Sequence, residues 1–130
     1  MGKAAGAPAT CPCGSGDPYA RCCAPWHEGA AAPTAEALMR SRYAAYALER
    51  TPYLLATWHA STRPGSLDLE PAKWLGLEVK RYAMTGADTA VVEFVARFRA
   101  GGRGHRLHET SRFVCEDGRW YYVDGDIGAA

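Results

Sequence analysis

Four of the five cysteines crowd into thirteen positions near the start of the chain, as Cys11, Cys13, Cys22 and Cys23. Disulfides between such close or adjacent residues would close strained small loops, whereas four thiolates on one short hairpin can surround a tetrahedral ion. Soft sulfur ligands favour zinc, with iron as the chemical competitor, and exclude magnesium and calcium. The pattern therefore predicts a metal site, with a redox-active or inert cysteine cluster as the alternative. We expect the distant Cys115 to be an inert buried thiol.

The segment PCGSGDPYARCC can fold tightly around an ion, because Gly14 and Gly16 accept a positive φ and the residues beside them form turns. The pattern C-P-C-G-S-G-x-x-Y-x-x-C-C resembles the SEC-C knuckle, a small metal-binding module also found at the end of the SecA translocation motor. The resemblance implies that the four cysteines together hold one zinc, with His27 as the alternative fourth ligand. Four protein ligands leave no open position for water, so we expect a structural metal.

Three residues beside the cysteines are candidates for a docking surface. Tyr19, Arg21 and Trp26 supply a cation and aromatic rings, the residue types that dominate binding energy at many interfaces. The resemblance to the SecA module implies contacts with a protein or a ribosome. The alternative is that the metal only secures the amino-terminal segment, whose folding energy then comes from the ion.

Titratable residues farther along the chain are candidates for acid–base chemistry. Histidine is the side chain that most often moves protons near neutral pH, so His59 is either a general acid or base or a cap for helix carbonyls. Glu109 and Asp124 are expected on one face of a sheet with Arg42 or Tyr46, either as a buried ion pair or as a catalytic carboxylate with a perturbed pKa. His59, Glu109 and Asp124 are therefore the catalytic candidates.

Helices must position the residues that follow the knuckle. Thr34 is the predicted N-cap of a helix over 35–50. Thr51, which precedes a proline, is the predicted N-cap of a short helix over 52–60. A third helical piece is predicted over 70–75, where a glycine ends it.

From residue 77 onward, apolar residues alternate with polar ones and turn residues separate the runs, which predicts four antiparallel strands. The pair Asp117-Gly118 closes a type I′ hairpin and fixes the register of the last two strands. Counting from this turn assigns side chains to alternating faces. The predicted strands are 77–84, 89–100, 105–116 and 119–125. The predicted pair next to the turn is Glu116/Arg119; the pairs Cys115/Trp120, Phe113/Tyr122 and Ser111/Asp124 follow on one face, and Val114/Tyr121 and Arg112/Val123 lie on the other.

The first of these faces runs from apolar to polar along the sheet, as the floor and mouth of a pocket would. The alternative is that its aromatic residues simply form the core, which is common in a small domain. The predicted pocket lining is Arg42, Tyr43, Tyr46, Trp58, Glu109, Ser111, Phe113, Trp120, Tyr122 and Asp124.

The runs MRSRYAAYAL, YLLATWHASTRP, WLGLEV, FVARF, HETSRF and WYYVDG look like the YchJ-type family of bacterial proteins. This resemblance covers nearly the whole chain and implies an α+β fold of the nuclear-transport-factor-two-like (NTF2-like) kind. In that fold a strongly curved antiparallel sheet wraps about three helices into a cone with an internal cavity, and it often forms a homodimer through the open face of the sheet. The predicted organisation is a flexible tail (1–10), a zinc knuckle (11–30) and an NTF2-like domain (31–130).

Composition limits the functional classes. A chain of 130 residues that is 48% hydrophobic suits one globular core. Its net charge of +1 gives no overall field that would attract DNA or an anionic membrane. No apolar run is long enough to span a membrane and the start lacks a signal peptide, so we expect a cytoplasmic protein. Two functions follow: a zinc-binding adaptor that docks on a protein or ribosomal surface, or a pocket enzyme of the isomerase, dehydratase or cyclase type with structural zinc.

Overall fold

A computed structural model describes residues 10–128 and shows an α+β fold in which short helices precede a four-stranded antiparallel sheet. The flexible tail predicted over 1–10 falls almost entirely outside the described residues. The elements are a 3₁₀ turn at Tyr19–Arg21, the helices α1 (Ala24–His27), α2 (Ala35–Leu48) and α3 (Thr51–Ala56), and the strands β1 (Lys73–Met84), β2 (Thr89–Ala100), β3 (Arg103–Glu116) and β4 (Arg119–Ile127).

The long helix α2 begins where the sequence predicts. The Oγ1 of Thr34 accepts a hydrogen bond of 3.0 Å from the amide of Ala37, which confirms the N-cap. The helix ends at Leu48, two residues earlier than predicted, because Glu49 adopts a left-handed conformation with a φ of 58°.

Two helical predictions are wrong in part or entirely. Helix α3 begins at Thr51, with Arg50 as its N-cap, and ends at Ala56, so 57–60 is not helical. There the backbone pairs with β4 instead: the amide of Tyr122 donates to the carbonyl of Thr57 at 2.8 Å. The helix predicted over 70–75 is absent, because 73–75 opens β1 and pairs with β2.

The four strands follow one another as a meander in the order β1-β2-β3-β4. The hairpin between β3 and β4 has positive φ angles at Asp117 (53°) and Gly118 (79°), as the predicted type I′ turn requires. The pairs next to this turn are confirmed: Glu116/Arg119, Cys115/Trp120, Val114/Tyr121 and Phe113/Tyr122.

Farther from the turn, a β-bulge shifts the register and corrects the two remaining predicted pairs. Arg112 lies opposite Asp124 instead of Val123, and Ser111 lies opposite Gly125 instead of Asp124. The extra residue is Val123. On the edge of β4 that does not pair with β3, its carbonyl accepts a hydrogen bond of 2.6 Å from the Thr62 hydroxyl. The bulge therefore turns Asp124 away from the helices and brings Gly125 toward them.

The core lies between α2 and the inner face of the sheet. Buried side chains of α2 pack against buried side chains of β2 and β3, while a second cluster joins the cysteine hairpin to Ala44 of α2. Cys115 is only partly buried, which corrects the expectation of a buried thiol. None of the helices within 10–128 has both the length and the apolar composition needed to cross a membrane.

Candidate functional site

The cysteine hairpin brings its four Sγ atoms together, all within 4.8 Å of one another. The Cys13–Cys22 and Cys22–Cys23 separations are 3.5 Å and 4.0 Å. A zinc ion with tetrahedral Zn–S bonds of about 2.3 Å requires sulfur atoms about 3.8 Å apart, so the donor set and its spacing fit. The turn that closes the hairpin has a φ of 85° at Gly14 and 87° at Gly16, conformations that glycine adopts readily.

The acidities of the cysteines reflect this crowding. A hydrogen bond from Cys11 holds the pKa of the Cys13 thiol far below its usual range, and the same bond raises the pKa of Cys11 to about 11. The pKa of Cys23 is raised by its hydrogen bonds to Cys11 and Cys13 and by burial. Among Cys11, Cys13 and Cys23, deprotonation of one thiol is thus favourable and deprotonation of the other two is costly. A divalent cation would offset that cost, because it would take the place of the shared protons.

His27 lies outside the sulfur cluster, and both of its ring nitrogens are engaged. Its Nε2 donates to the carbonyl of Ser41 at 2.8 Å, so Nδ1 is the nitrogen that accepts from the Tyr19 hydroxyl at 2.7 Å. Burial lowers the pKa of the imidazole. His27 therefore ties the knuckle to α2, and in this arrangement it has no free nitrogen for a metal.

The residues predicted to form a docking surface have different environments. Tyr19 is only 8% exposed and belongs to the cysteine cluster, which corrects its placement on a surface. Trp26 is half-buried against both core clusters, and Arg21 is exposed. The knuckle is also bonded to α2 through Arg40, whose Nη1 donates to the Cys13 carbonyl at 3.2 Å.

A cavity of about 250 Å³ lies between α2 and the inner face of the sheet. Eight of the ten predicted lining residues line it; Trp120 and Asp124 do not. The prediction missed five further wall residues, although the alternation of β2 and β3 places three of them on the inner face. The complete lining is Met39, Arg42, Tyr43, Tyr46, Trp58, Trp74, Phe94, Ala96, Leu107, Glu109, Ser111, Phe113 and Tyr122.

Arg42 places a positive charge in the cavity wall although it is only 6% exposed. Its Nη1 donates to the carbonyl of Leu54 at 2.8 Å and to the hydroxyl of Thr57 at 2.7 Å. The guanidinium also lies 4.7 Å from the ring centre of Tyr122 and 5.2 Å from that of Trp58. Burial lowers the pKa of Arg42, and within residues 10–128 the side chain has no carboxylate oxygen closer than 4.0 Å.

Glu109 supplies the negative charge of the same cavity. Its Oε2 accepts hydrogen bonds from the hydroxyls of Ser111, at 2.7 Å, and Tyr122, at 3.2 Å. Burial, followed by the charge of Glu109, raises the pKa of the Tyr122 hydroxyl, so Tyr122 remains a hydrogen-bond donor near neutral pH. The carboxylate lies directly over Gly125, where a Cβ atom would come within 2.8 Å of its Cδ.

The other two catalytic candidates lie away from the cavity. His59 sits in the turn after α3, where its Nε2 contacts Glu116 at 2.8 Å and its Nδ1 contacts Ser61 at 2.7 Å, so its ring does not cap helix carbonyls. Asp124 accepts a hydrogen bond of 2.6 Å from Arg112 on the outer face of the sheet. Of the three candidates, only Glu109 reaches the cavity.

Similarity to known proteins covers both parts of the chain. Residues 34–125 match the family described as the middle NTF2-like domain of YchJ, and 8–25 match the SEC-C motif. A UPF0225 protein of Methylibium petroleiphilum is 58% identical over 125 residues, which cover 93% of this chain and 90% of the relative. One from Bordetella parapertussis is 54% identical over 132 residues, which cover 98% and 99%.

Two solved structures have the same fold. The solution structure of a SEC-C motif containing protein from Rhodopseudomonas palustris has a TM-score of 0.80 and 39% identity, and the match covers 90% of this chain and 97% of that chain. The crystal structure of a SEC-C motif containing protein from Psychrobacter arcticus has a TM-score of 0.79 and 29% identity, with coverages of 95% and 85%.

Proposed function

The chain belongs to the UPF0225 family, which joins a SEC-C motif to a YchJ-type NTF2-like domain, and on this basis we propose that it binds a small molecule in its cavity. The observation that carries the proposal is the cavity of about 250 Å³, whose apolar wall contains a few converging polar groups. Small-molecule sites have this composition and volumes of about 300–1,000 Å³, so the ligand is a small one. Aromatic side chains line the space without filling it.

We propose zinc as the ion of the knuckle, with a structural role. Four cysteine ligands complete a tetrahedral shell, so water has no position from which the ion could activate it. The hairpin packs on α2, and other residues of α2 line the cavity, so the ion stabilises the helix that forms one wall of the cavity. Five free cysteines are typical of a reducing compartment, which supports the cytoplasm as the site of action.

Docking of the knuckle on a protein or ribosomal surface stays a prediction. Of the three residues named for it, only Arg21 is exposed. The homodimer through the open face of the sheet also stays a prediction; that face carries charged side chains such as Arg97, Arg112 and Asp124. The geometry favours the cavity, because its polar groups converge on one space.

The proposal can be tested by saturation-transfer NMR, with phenol, indole, benzoate and benzamide at millimolar concentration as probes. Leu107→Trp places a large ring in the cavity wall, whereas Arg106→Trp places the same ring on the exposed opposite face of β3. We expect the wild-type protein and Arg106→Trp to bind at least one probe and Leu107→Trp to lose that binding. Binding of no probe by the wild type, or equal binding by both variants, would overturn the proposal.

A further inference from the structure

We propose that the cavity ligand is a small carboxylate with an apolar body and a hydrogen-bond donor at its far end, held between Arg42 and Glu109. This inference rests on the proposed function and adds the chemical class of the ligand. The three observations that support it are a buried cation with free donors, a second buried donor in the same wall, and an acceptor whose charge is not paired with that cation.

The first observation is the state of Arg42. A buried charge is costly unless a counter-charge or hydrogen bonds compensate it. Within 10–128 the guanidinium donates two hydrogen bonds from Nη1 and lies near two aromatic rings and the Tyr46 hydroxyl. In the same range it has no carboxylate within 4.0 Å, and Glu109 acts on it only from a greater distance. A guanidinium presents its remaining N–H groups in a planar fork that matches a carboxylate. A carboxylate ligand would therefore supply what the fold leaves out.

The second observation is the indole of Trp58, which shares the cavity wall with Arg42. Its Nε1–H is buried and finds no acceptor in the described part of the chain. Buried donors almost always have a partner in folded proteins, and an orphan one needs an explanation. The unpartnered N–H of Trp58 thus adds a donor near the Arg42 guanidinium, which favours an acceptor at the end of the ligand that lies there.

The third observation is the separate position of Glu109. It shares the cavity with Arg42, but their charged atoms are more than 4.0 Å apart. Two hydroxyl donors hold its Oε2, and Gly125 leaves room for it. A carboxylate can only accept, so it would bind a hydroxyl or amino group of the ligand.

The remaining wall sets the size and the body of the ligand. The volume of about 250 Å³ corresponds to roughly eight water molecules at about 30 Å³ each. The rest of the wall includes the rings of Tyr43, Trp74, Phe94 and Phe113, which suit a flat apolar body. A neutral ligand would leave Arg42 with only the more distant charge of Glu109, and a purely cationic one would be repelled by Arg42.

The test compares matched pairs of probes on the full chain with its metal bound. The acids are 2-, 3- and 4-hydroxybenzoate, each paired with its hydroxybenzamide, and benzoate lacks the hydroxyl donor. We expect the best acid to bind about tenfold more tightly than its amide, since hydrogen bonds between charged groups are the stronger kind. In Glu109→Gln, the ratio of the affinity for that hydroxybenzoate to the affinity for benzoate should fall several-fold. The ratio of the affinities for the acid and its amide should be kept.

Arg42→Met should abolish the difference between acid and amide. Because Arg42 also supports Leu54 and Thr57, this variant can fail to fold, and the ratios in the wild type and Glu109→Gln then carry the test alone. Amides that bind as tightly as acids would overturn the carboxylate class while the cavity remained a binding site. If the ratio of the affinities for hydroxybenzoate and benzoate is the same in Glu109→Gln as in the wild type, the role of Glu109 is overturned. If acids, amides and neutral fragments all fail to bind, the proposed function itself falls.

Discussion

At the scale of single residues, Cys22 tests the metal site most directly, because it is the least buried of the four cysteines. Cys22→Ser replaces a thiolate by a hydroxyl that stays protonated at neutral pH, so bound metal should fall well below one ion per chain. Cys115→Ser is the matched control, since Cys115 lies outside the cluster, and it should keep the wild-type content. Metal analysis of both purified variants measures this, and an unchanged content in Cys22→Ser would remove that residue as a ligand.

His27 predicts a pH dependence of stability. Burial lowers its pKa below the ordinary 6.5 in the folded protein, so below pH 6.5 the unfolded chain binds more protons at this site than the folded one. The contribution is fully present above 6.5 and is lost as the pH falls from 6.5 toward the folded pKa. Protonation would also remove the hydrogen bond that the Tyr19 hydroxyl donates to Nδ1, because a protonated Nδ1 cannot accept it.

This prediction is checked by NMR titration of the His27 ring proton and by urea unfolding at several pH values. The midpoint should lie below 6.5, and the wild type should lose more stability between about pH 7.5 and pH 5.5 than His27→Gln, which has no titrating ring. Both proteins contain the same cysteines, so acid release of the metal affects them alike. A midpoint at or above 6.5 would contradict the prediction.

Some of these residues could be found from the sequence and some could not. The cysteine cluster could, because its spacing within one hairpin needs no distant partner. The prediction for Asp124 is wrong because the face on which it lies depends on a bulge. The prediction for Tyr19 is wrong because its burial depends on His27 and α2. Residue type suggested the chemistry, but only the packing determined which side chains meet.

At the scale of elements, the bulge in β4 determines how many carboxylates face the cavity. Without it Asp124 would lie opposite Ser111, beside Glu109; with it Gly125 occupies that position. A single carboxylate then sits beside two hydroxyl donors, without a like charge next to it. The bulge thus lets Glu109 bind a donor from a ligand.

Gly125→Ala tests this arrangement. The new Cβ would collide with the Glu109 carboxylate and displace it from Ser111 and Tyr122. We expect the free energy of unfolding to fall by about 1–2 kcal/mol, the usual contribution of one or two hydrogen bonds. Gly104→Ala is the control, since a Cβ there meets nothing within 4 Å.

Urea unfolding of the two variants, repeated in a Glu109→Ala background, separates the causes. Removing the carboxylate should remove most of the cost of Gly125→Ala. An equal cost in both backgrounds would mean that the glycine serves the backbone of the bulge and not Glu109.

Whether an element could be predicted from the sequence depends on how far apart in the chain the interacting residues are. The Thr34 cap and the Asp117-Gly118 turn were predictable because each depends on neighbouring residues. The stretches 57–60 and 70–75 were not, because part of each backbone, 57–59 and 73–74, pairs with β4 or β2, which follow far along the chain. In both stretches, pairing with a distant strand overrode a local preference for helix.

At the scale of the whole molecule, α2 connects the metal site to the cavity. One side of the helix carries Arg40, Ser41 and Ala44, which contact the knuckle. The other side carries Arg42, Tyr43 and Tyr46, which line the cavity. Residues three and four apart share a helix face, so α2 carries the two roles on opposite faces of the same stretch.

This arrangement predicts what metal removal will do. The knuckle contains only short helical turns, so the ion supplies much of its folding energy. The sheet contributes Val92, Phe94 and Phe113 to the main core, which is separate from the cluster around the cysteines. After chelation we expect amide hydrogen exchange to accelerate over 11–28 and along α2, while the amides of β2 and β3 remain protected. The predicted boundary between a knuckle (11–30) and a domain (31–130) would then correspond to a real difference in stability.

Hydrogen exchange measured by mass spectrometry, with and without chelator, distinguishes the alternatives. Faster exchange confined to the knuckle and α2 would mean that the metal stabilises a local unit that supports one wall of the cavity. Equal acceleration in the sheet would mean that knuckle and sheet unfold as one cooperative unit, because the bonds of Arg40 and His27 couple them too strongly to separate. No change in any region would show that the hairpin holds its shape without the ion, and the structural role proposed for zinc would be wrong.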